Sequence, residues 1–112
     1  MGEMKDMLDE VNSSLAGLKR DAPEFIRAFH SFMEVSEKGG KLDNKTKELI
    51  SVALSVATHC KWCIAFHVKN ALVAGATKEE LIEVCQVAAL MGGGPSLMYS
   101  QLVFKAIEEF SN

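Results

Sequence analysis

Apolar residues recur at spacings of three and four along almost the whole chain, and no stretch alternates in the period-two manner of a strand. That periodicity points to an all-α fold. Met4, Met7, Leu8, Val11, Leu15 and Leu18 mark an amphipathic helix over 3–19. Asp21, Pro23 and Glu24 read as the cap, first turn and capping-box partner of a second helix, with a stripe of Phe25, Ile26, Phe29, Phe32 and Met33. Gly39-Gly40 ends it. Asp43 then caps a third helix, apolar around most of its circumference and expected to be the most buried. A fourth runs from about His59 to Ala74, stopping at Gly75, and Thr77 with Glu80 forms a capping box for a fifth. Gly92-Gly93-Gly94-Pro95 separates this from a last helix over 96–110. The expectation is about six helices in one domain spanning 1–112, without internal repeats or low-complexity tracts.

The third and fourth helices meet in the most informative stretch, Glu48 to His67, which holds two of the three cysteines and two of the three histidines. As one rod it would separate Glu48 from His67 by about 28 Å at ~1.5 Å per residue. Positions 48 and 67 are equidistant from the Ala57–Thr58 bond, so an antiparallel hairpin there brings them level. Thr58 is an acceptable cap for the second arm and places Cys60 in its first turn, where free amides and the helix dipole favour an anion.

Cys60, Cys63 and His67 fall on one helical stripe. Two thiols three residues apart can close a disulfide, because alpha carbons roughly 5 Å apart lie inside the ~4.4–6.8 Å that such a bond accepts. Thiolate is the reactive form, and at an unperturbed pKa of ~8.5 only about 3% of a cysteine is ionised at pH 7. His67, one turn after Cys63, is placed to take that proton, and Glu48 to orient the imidazole and receive the charge. The helix terminus argues for Cys60 as the first attacker, the histidine for Cys63. A zinc site built from Cys60, Cys63, His67 and Glu48 is an alternative, weakened by the lack of a second ligand cluster. Plain packing is another. A haem attachment motif fails because Ile64 follows Cys63.

Composition narrows the partners. A net charge of −3, a pI near 5.6 and scattered lysines argue against nucleic acid or an anionic membrane. No apolar run approaches the ~20 residues of a bilayer span, and Met1 to Glu10 is too polar for a signal peptide. Three cysteines is an odd number, unlike a secreted disulfide framework, and suggests a reducing, cytoplasmic setting.

Glu48, then Cys60-Lys-Trp-Cys63 twelve residues on, then His67, flanked by Leu42-Asp43-x-x-Thr46-Lys47-Glu48-Leu49 and Gly75-Ala76-Thr77-x-Glu79-Glu80-Leu81, resembles the alkylhydroperoxidase D branch of the carboxymuconolactone decarboxylase family. The resemblance covers roughly residues 23–101. It implies an all-helical fold assembled as a homo-oligomer, a trimer or a hexamer of paired trimers. It also implies thiol-dependent peroxidase or disulfide-reductase chemistry without a cofactor, in which Glu48 and His67 relay a proton from Cys63 and Cys60 is its disulfide partner. A hydroperoxide would be the substrate, and a lipoamide-bearing or thioredoxin-like dithiol protein the reductant. Trp62 stands where some members carry a histidine, and His59 beside Cys60 is a candidate substitute.

Two rivals stand beside this expectation. A lactone decarboxylase would use Glu48 and His67 as acid and base without thiols. A non-enzymatic, redox-responsive helical oligomer needs no turnover at all. Cys85 lies on an apolar stripe and reads as core, as do the methionines; His30 and His59 read as surface or packing residues, and Trp62 and Phe66 as packing residues, with a substrate pocket as the alternative. The glycines at 92–94 lack the strand, lysine and hydroxyl of a phosphate loop.

Overall fold

The computed structural model describes residues 2–111. All described secondary structure is helical: α1 (Glu3–Asp21), α2 (Pro23–Glu37), α3 (Asn44–Ala57), α4 (Lys61–Val73) and α5 (Lys78–Phe110). The long α5 replaces the fifth and sixth helices of the sequence reading. The expected interruption is nevertheless there, at Gly93, whose φ of 71° and ψ of −157° leave the helical region. Only glycine takes such dihedrals freely. Pro95, which cannot donate to the preceding turn, follows two residues on, so the two segments meet at a kink. Gly92 is also required to be small, because a Cβ there would run into the side chain of buried Ser96.

α3, α4 and α5 form the centre. Val52 and Val56 of α3, Ile64 and Val68 of α4, and Leu81, Cys85 and Val103 of α5 are buried together, and α1 closes the cluster with Met4. The third helix therefore shares the middle with the fourth instead of being the single most buried element. Cys85 is a core residue as expected; burial pushes its thiol up, with a hydrogen bond to Ser100 pulling the other way. By length and composition α5 alone among the described helices could cross a membrane, with a mean hydropathy of 1.3 over its most apolar window. Its kink and its row of core residues from Leu81 to Ile107 explain that composition in part.

Several ends differ from expectation for identifiable reasons. Asp21 does not cap α2. It is the last residue of α1, and Ala22 alone makes the corner, with no side-chain cap hydrogen bond. Proline disfavours the α region for the residue before it, so the break falls at Ala22 and leaves no room for a capping turn. Asp43 does cap α3, its carboxylate accepting from Thr46 N at 2.8 Å. The Thr77–Glu80 capping box is complete: Thr77 Oγ1 accepts from Glu80 N at 3.1 Å, and Glu80 Oε1 accepts from Thr77 N at 2.8 Å. Glu80 also pairs with Lys45 of α3 at 2.9 Å, a half-buried surface pair of small energetic weight. Thr77→Ala is expected to destabilise the fold by about 1 kcal/mol. A lower urea midpoint at unchanged m-value checks this.

The second helix departs most from the sequence reading. Of its apolar stripe only Ile26 is buried, while Phe25 is 61% and Phe32 68% exposed. α2 leans on α1 and also touches α3, where Asn44 Nδ2 donates to Glu37 O, while Phe25, Phe29 and Phe32 are exposed.

Candidate active site

The α3–α4 hairpin forms, but its turn lies later than the Ala57–Thr58 bond. Thr58 ends α3, with its N and Oγ1 donating to Leu54 O at 2.9 and 2.8 Å. It is thus not the cap of α4. His59 follows with a φ of 58°, the left-handed conformation that reverses the chain. Its ring stacks on Tyr99 of α5, with centroids 4.5 Å apart and planes 8° from parallel.

Cys60 itself is the N-cap of α4, and its Sγ accepts from Cys63 N at 3.2 Å. The sulfur therefore takes the place of a capping oxygen, beside the positive end of the helix dipole. Cys60 and Cys63 are disulfide-bonded, with alpha carbons 5.2 Å apart. Both are partly exposed. Trp62, between them, donates its indole N–H to Glu10 of α1 at 3.1 Å and leaves half its surface open. It ties the start of α4 to α1.

On the same face of α4 as Cys63, one turn further, His67 reaches across the hairpin. Its Nδ1 lies 2.8 Å from Glu48 Oε1. The Glu48 side chain is only 4% exposed and that of His67 20%. A carboxylate buried to that degree is costly unless hydrogen-bonded, and His67 supplies the donor. With the Nδ1 proton held by Glu48, a neutral imidazole keeps its lone pair on Nε2, the nitrogen free to accept a proton.

A third group, Glu37, was not anticipated. It is the last residue of α2, and its Oε2 lies 3.9 Å from His67 Nδ1. Burial pushes its carboxyl above the ordinary value, reinforced by a hydrogen bond to Glu48 and by that residue's charge, with His67 acting in the opposite sense. One atom from each of Glu37, Glu48 and His67 lies within 4.8 Å of the others. The Cys60–Cys63–His67–Glu48 zinc tetrad is not assembled, since the two sulfurs are bonded to each other.

The hairpin thus gathers a redox-capable cysteine pair and an imidazole backed by a buried acid. It does so in a fold with known relatives. The model of the carboxymuconolactone decarboxylase family matches residues 23–106. An uncharacterised protein of Cupriavidus necator is 39% identical over 98 residues, covering 88% of this chain and 87% of its own length. A protein encoded in the cox locus of Paracoccus denitrificans is 33% identical, covering 91% of this chain and 92% of its own. Among solved structures, a carboxymuconolactone decarboxylase family protein from Legionella pneumophila (apo-lpg0406) superposes with a TM-score of 0.94 at 42% identity, over 97% of both chains. A Thermotoga maritima member, for which a part in an antioxidative response has been suggested, gives 0.82 at 26% identity, over 93% of this chain and 89% of that one. Sequence and fold agree: the chain belongs to the carboxymuconolactone decarboxylase family.

Proposed function

We propose that the protein is a thiol-dependent antioxidant oxidoreductase of the alkylhydroperoxidase D type. The observation that carries this reading is the hairpin's joining of a Cys60–Cys63 disulfide to a His67–Glu48 pair 2.8 Å apart. A decarboxylase has no use for the cysteine pair, and a passive assembly has none for a buried acid–imidazole couple. The antioxidative role suggested for the Thermotoga maritima member supports the same choice.

In the reduced enzyme, His67 Nε2 takes the proton of Cys63, with Glu48 stabilising the imidazolium. The Cys63 thiolate attacks the distal oxygen of a hydroperoxide. The O–O bond breaks, the alcohol leaves with a proton from His67, and Cys63 becomes a sulfenic acid. Cys60 condenses with it, releasing water and closing the disulfide. An external dithiol, on a lipoamide-bearing or thioredoxin-like protein, then reduces the pair and is itself oxidised. In that last step Cys60 is a good leaving group, because its sulfur at the helix N-terminus is stabilised as an anion.

The working unit is a homo-oligomer, trimer or hexamer, in the cytoplasm. Supporting the assembly, Phe25 and Phe32 of α2 and Leu90, Met91 and Met98 of α5 are each at least 60% exposed. A single soluble chain seldom leaves so many large apolar side chains uncovered. Steady consumption of an alkyl hydroperoxide at the expense of a dithiol donor is the expected activity. Retention of lactone decarboxylation by a Cys60→Ser/Cys63→Ser double variant would instead identify the acid–base rival.

A further inference from the structure

We propose that Glu37, Glu48 and His67 form a binding site for a divalent transition-metal ion of the zinc type, and that the bound ion switches off activation of the Cys63 thiol. Binding stands on the geometry of the three side chains. The switch rests on the roles given above to His67 and Cys63.

The ligating atoms come from different helices. Glu37 closes α2, Glu48 stands near the start of α3 and His67 lies in the middle of α4. His67 Nδ1 is 2.8 Å from Glu48 Oε1 and 3.9 Å from Glu37 Oε2, and one ligating atom of each residue lies within 4.8 Å of the others. Donors around a tetrahedral zinc with bonds of ~2.0–2.1 Å stand roughly 3.3 Å apart. The two separations at Nδ1 straddle that value, so small side-chain rotations complete the set. One imidazole nitrogen with two carboxylate oxygens suits an ion of borderline softness. The side chains of His67 and Glu37 are 20% and 26% exposed, which leaves the site open to ion entry and to a water ligand.

Electrostatics favours a cation at this point. Two carboxylates face one imidazole, and Glu37 lies in the last turn of α2, which holds no basic residue and carries the negative end of the helix dipole. Among the described residues no lysine or arginine forms an ion pair with either carboxylate. Lys47 of α3 donates instead to Lys38 O at 2.7 Å, and Asn44 Nδ2 donates to Glu37 O at 2.8 Å. These two bonds hold the end of α2 against α3 and keep the carboxylate of Glu37 at the cluster. Glu48, with a side chain only 4% exposed, is the kind of buried acid that needs a counter-charge. Helix stability gives no reason for an acid at 37, whereas ligation does.

An ion on Nδ1 uses the lone pair there, so the proton of a neutral imidazole moves to Nε2. That is the nitrogen which accepts the proton of Cys63. Metal and thiol proton therefore compete for one ring, and the thiol is silenced with no metal bound to sulfur.

The test begins with the full-length protein in its disulfide form, where neither Cys60 nor Cys63 offers a thiolate. Calorimetric titration with Zn²⁺ is expected to show one ion bound per chain, and Mg²⁺, which prefers an all-oxygen octahedron, should not bind. Glu37→Gln keeps the size of the side chain and removes its charge, and should weaken zinc binding at least about tenfold. Nitrogen-15 shifts of the His67 ring should place the ion on Nδ1 and the proton on Nε2. In the reduced protein, zinc should slow alkylation of Cys63 by iodoacetamide, and a chelator should restore the rate. The zinc concentration for half-inhibition should rise at least about tenfold in Glu37→Gln, following the loss of binding.

No zinc binding by the disulfide form overturns the site, and so does binding that Glu37→Gln leaves unchanged. Half-inhibition at equal zinc in wild type and Glu37→Gln shows that zinc acts on the sulfurs and overturns the switch. Binding that depends on Glu37, with alkylation insensitive to zinc, leaves the site standing and overturns both the switch and the assignment of His67 as the base.

Discussion

Replacing Cys63 with serine is expected to lower hydroperoxide turnover at least about 10³-fold, since a serine hydroxyl is not ionised near neutrality and cannot be oxidised to a sulfenic acid. The melting temperature should hardly change, because the site is partly exposed and the substitution is nearly isosteric. Cys60→Ser should also stop the cycle, at a different point. Its Cys63 would still reduce one equivalent of peroxide and then wait as a sulfenic acid with no partner thiol. Trapping that species with dimedone, and counting the peroxide consumed per subunit, separates the two variants. The opposite pattern, one equivalent consumed by Cys63→Ser and none by Cys60→Ser, makes Cys60 the attacker. That outcome would mean that the amide and dipole at the start of α4, where Cys60 Sγ accepts from Cys63 N, outweigh the imidazole.

The second large effect concerns the base. Without His67, Cys63 returns toward an ordinary thiol, about 3% ionised at pH 7, so His67→Ala should slow disulfide formation by peroxide about 30-fold there. The loss should shrink roughly tenfold for each unit of rising pH, as hydroxide takes over the deprotonation, and nearly vanish above the thiol's own pKa of ~8.5. Alanine also strips the Glu48 carboxylate of a donor, and a buried acceptor left unpaired costs about 1–3 kcal/mol. His67→Gln, which can still offer an N–H to Glu48, separates the two effects. It should recover stability without recovering rate. Comparable rate losses at pH 7 and in alkaline solution would show that His67 only holds the hairpin together.

Much of the fold could be read from spacing because most helices here carry their own boundaries. Asp43, the Thr77–Glu80 box and Gly93 act within a turn of where they stand, and each does in the structure what its residue type favours. The α1–α2 corner was misread because two local preferences competed: Asp21 is a good cap, but Pro23 pins the break to Ala22. The hairpin turn was misread for a related reason. Thr58 can cap either end of a helix, and that His59 would take the left-handed turn is not encoded in its residue type. The stripe of α2 is periodic whether it faces the core or outward, so periodicity cannot tell the two apart. In the site, Cys60, Cys63 and His67 were visible because one helix relates them. Glu48 was visible through its symmetry with position 67 and its place twelve residues before Cys60 in the motif. Glu37 lies on another helix across the 38–43 connection, where no period links it to the imidazole. Its one local clue was an acid at the wrong end of a helix.

The account as a whole turns on whether the His67–Glu48 couple lowers the energy of a thiolate on its own helix. Ultraviolet titration of the thiolate in the fully reduced protein reads this directly, with Cys85 replaced by alanine to leave only the pair. One sulfur is predicted to ionise below neutral pH in the wild-type pair, and to move alkaline by at least about one unit in His67→Ala. Two thiols titrating together near ~8.5, unmoved by the loss of His67, would contradict it.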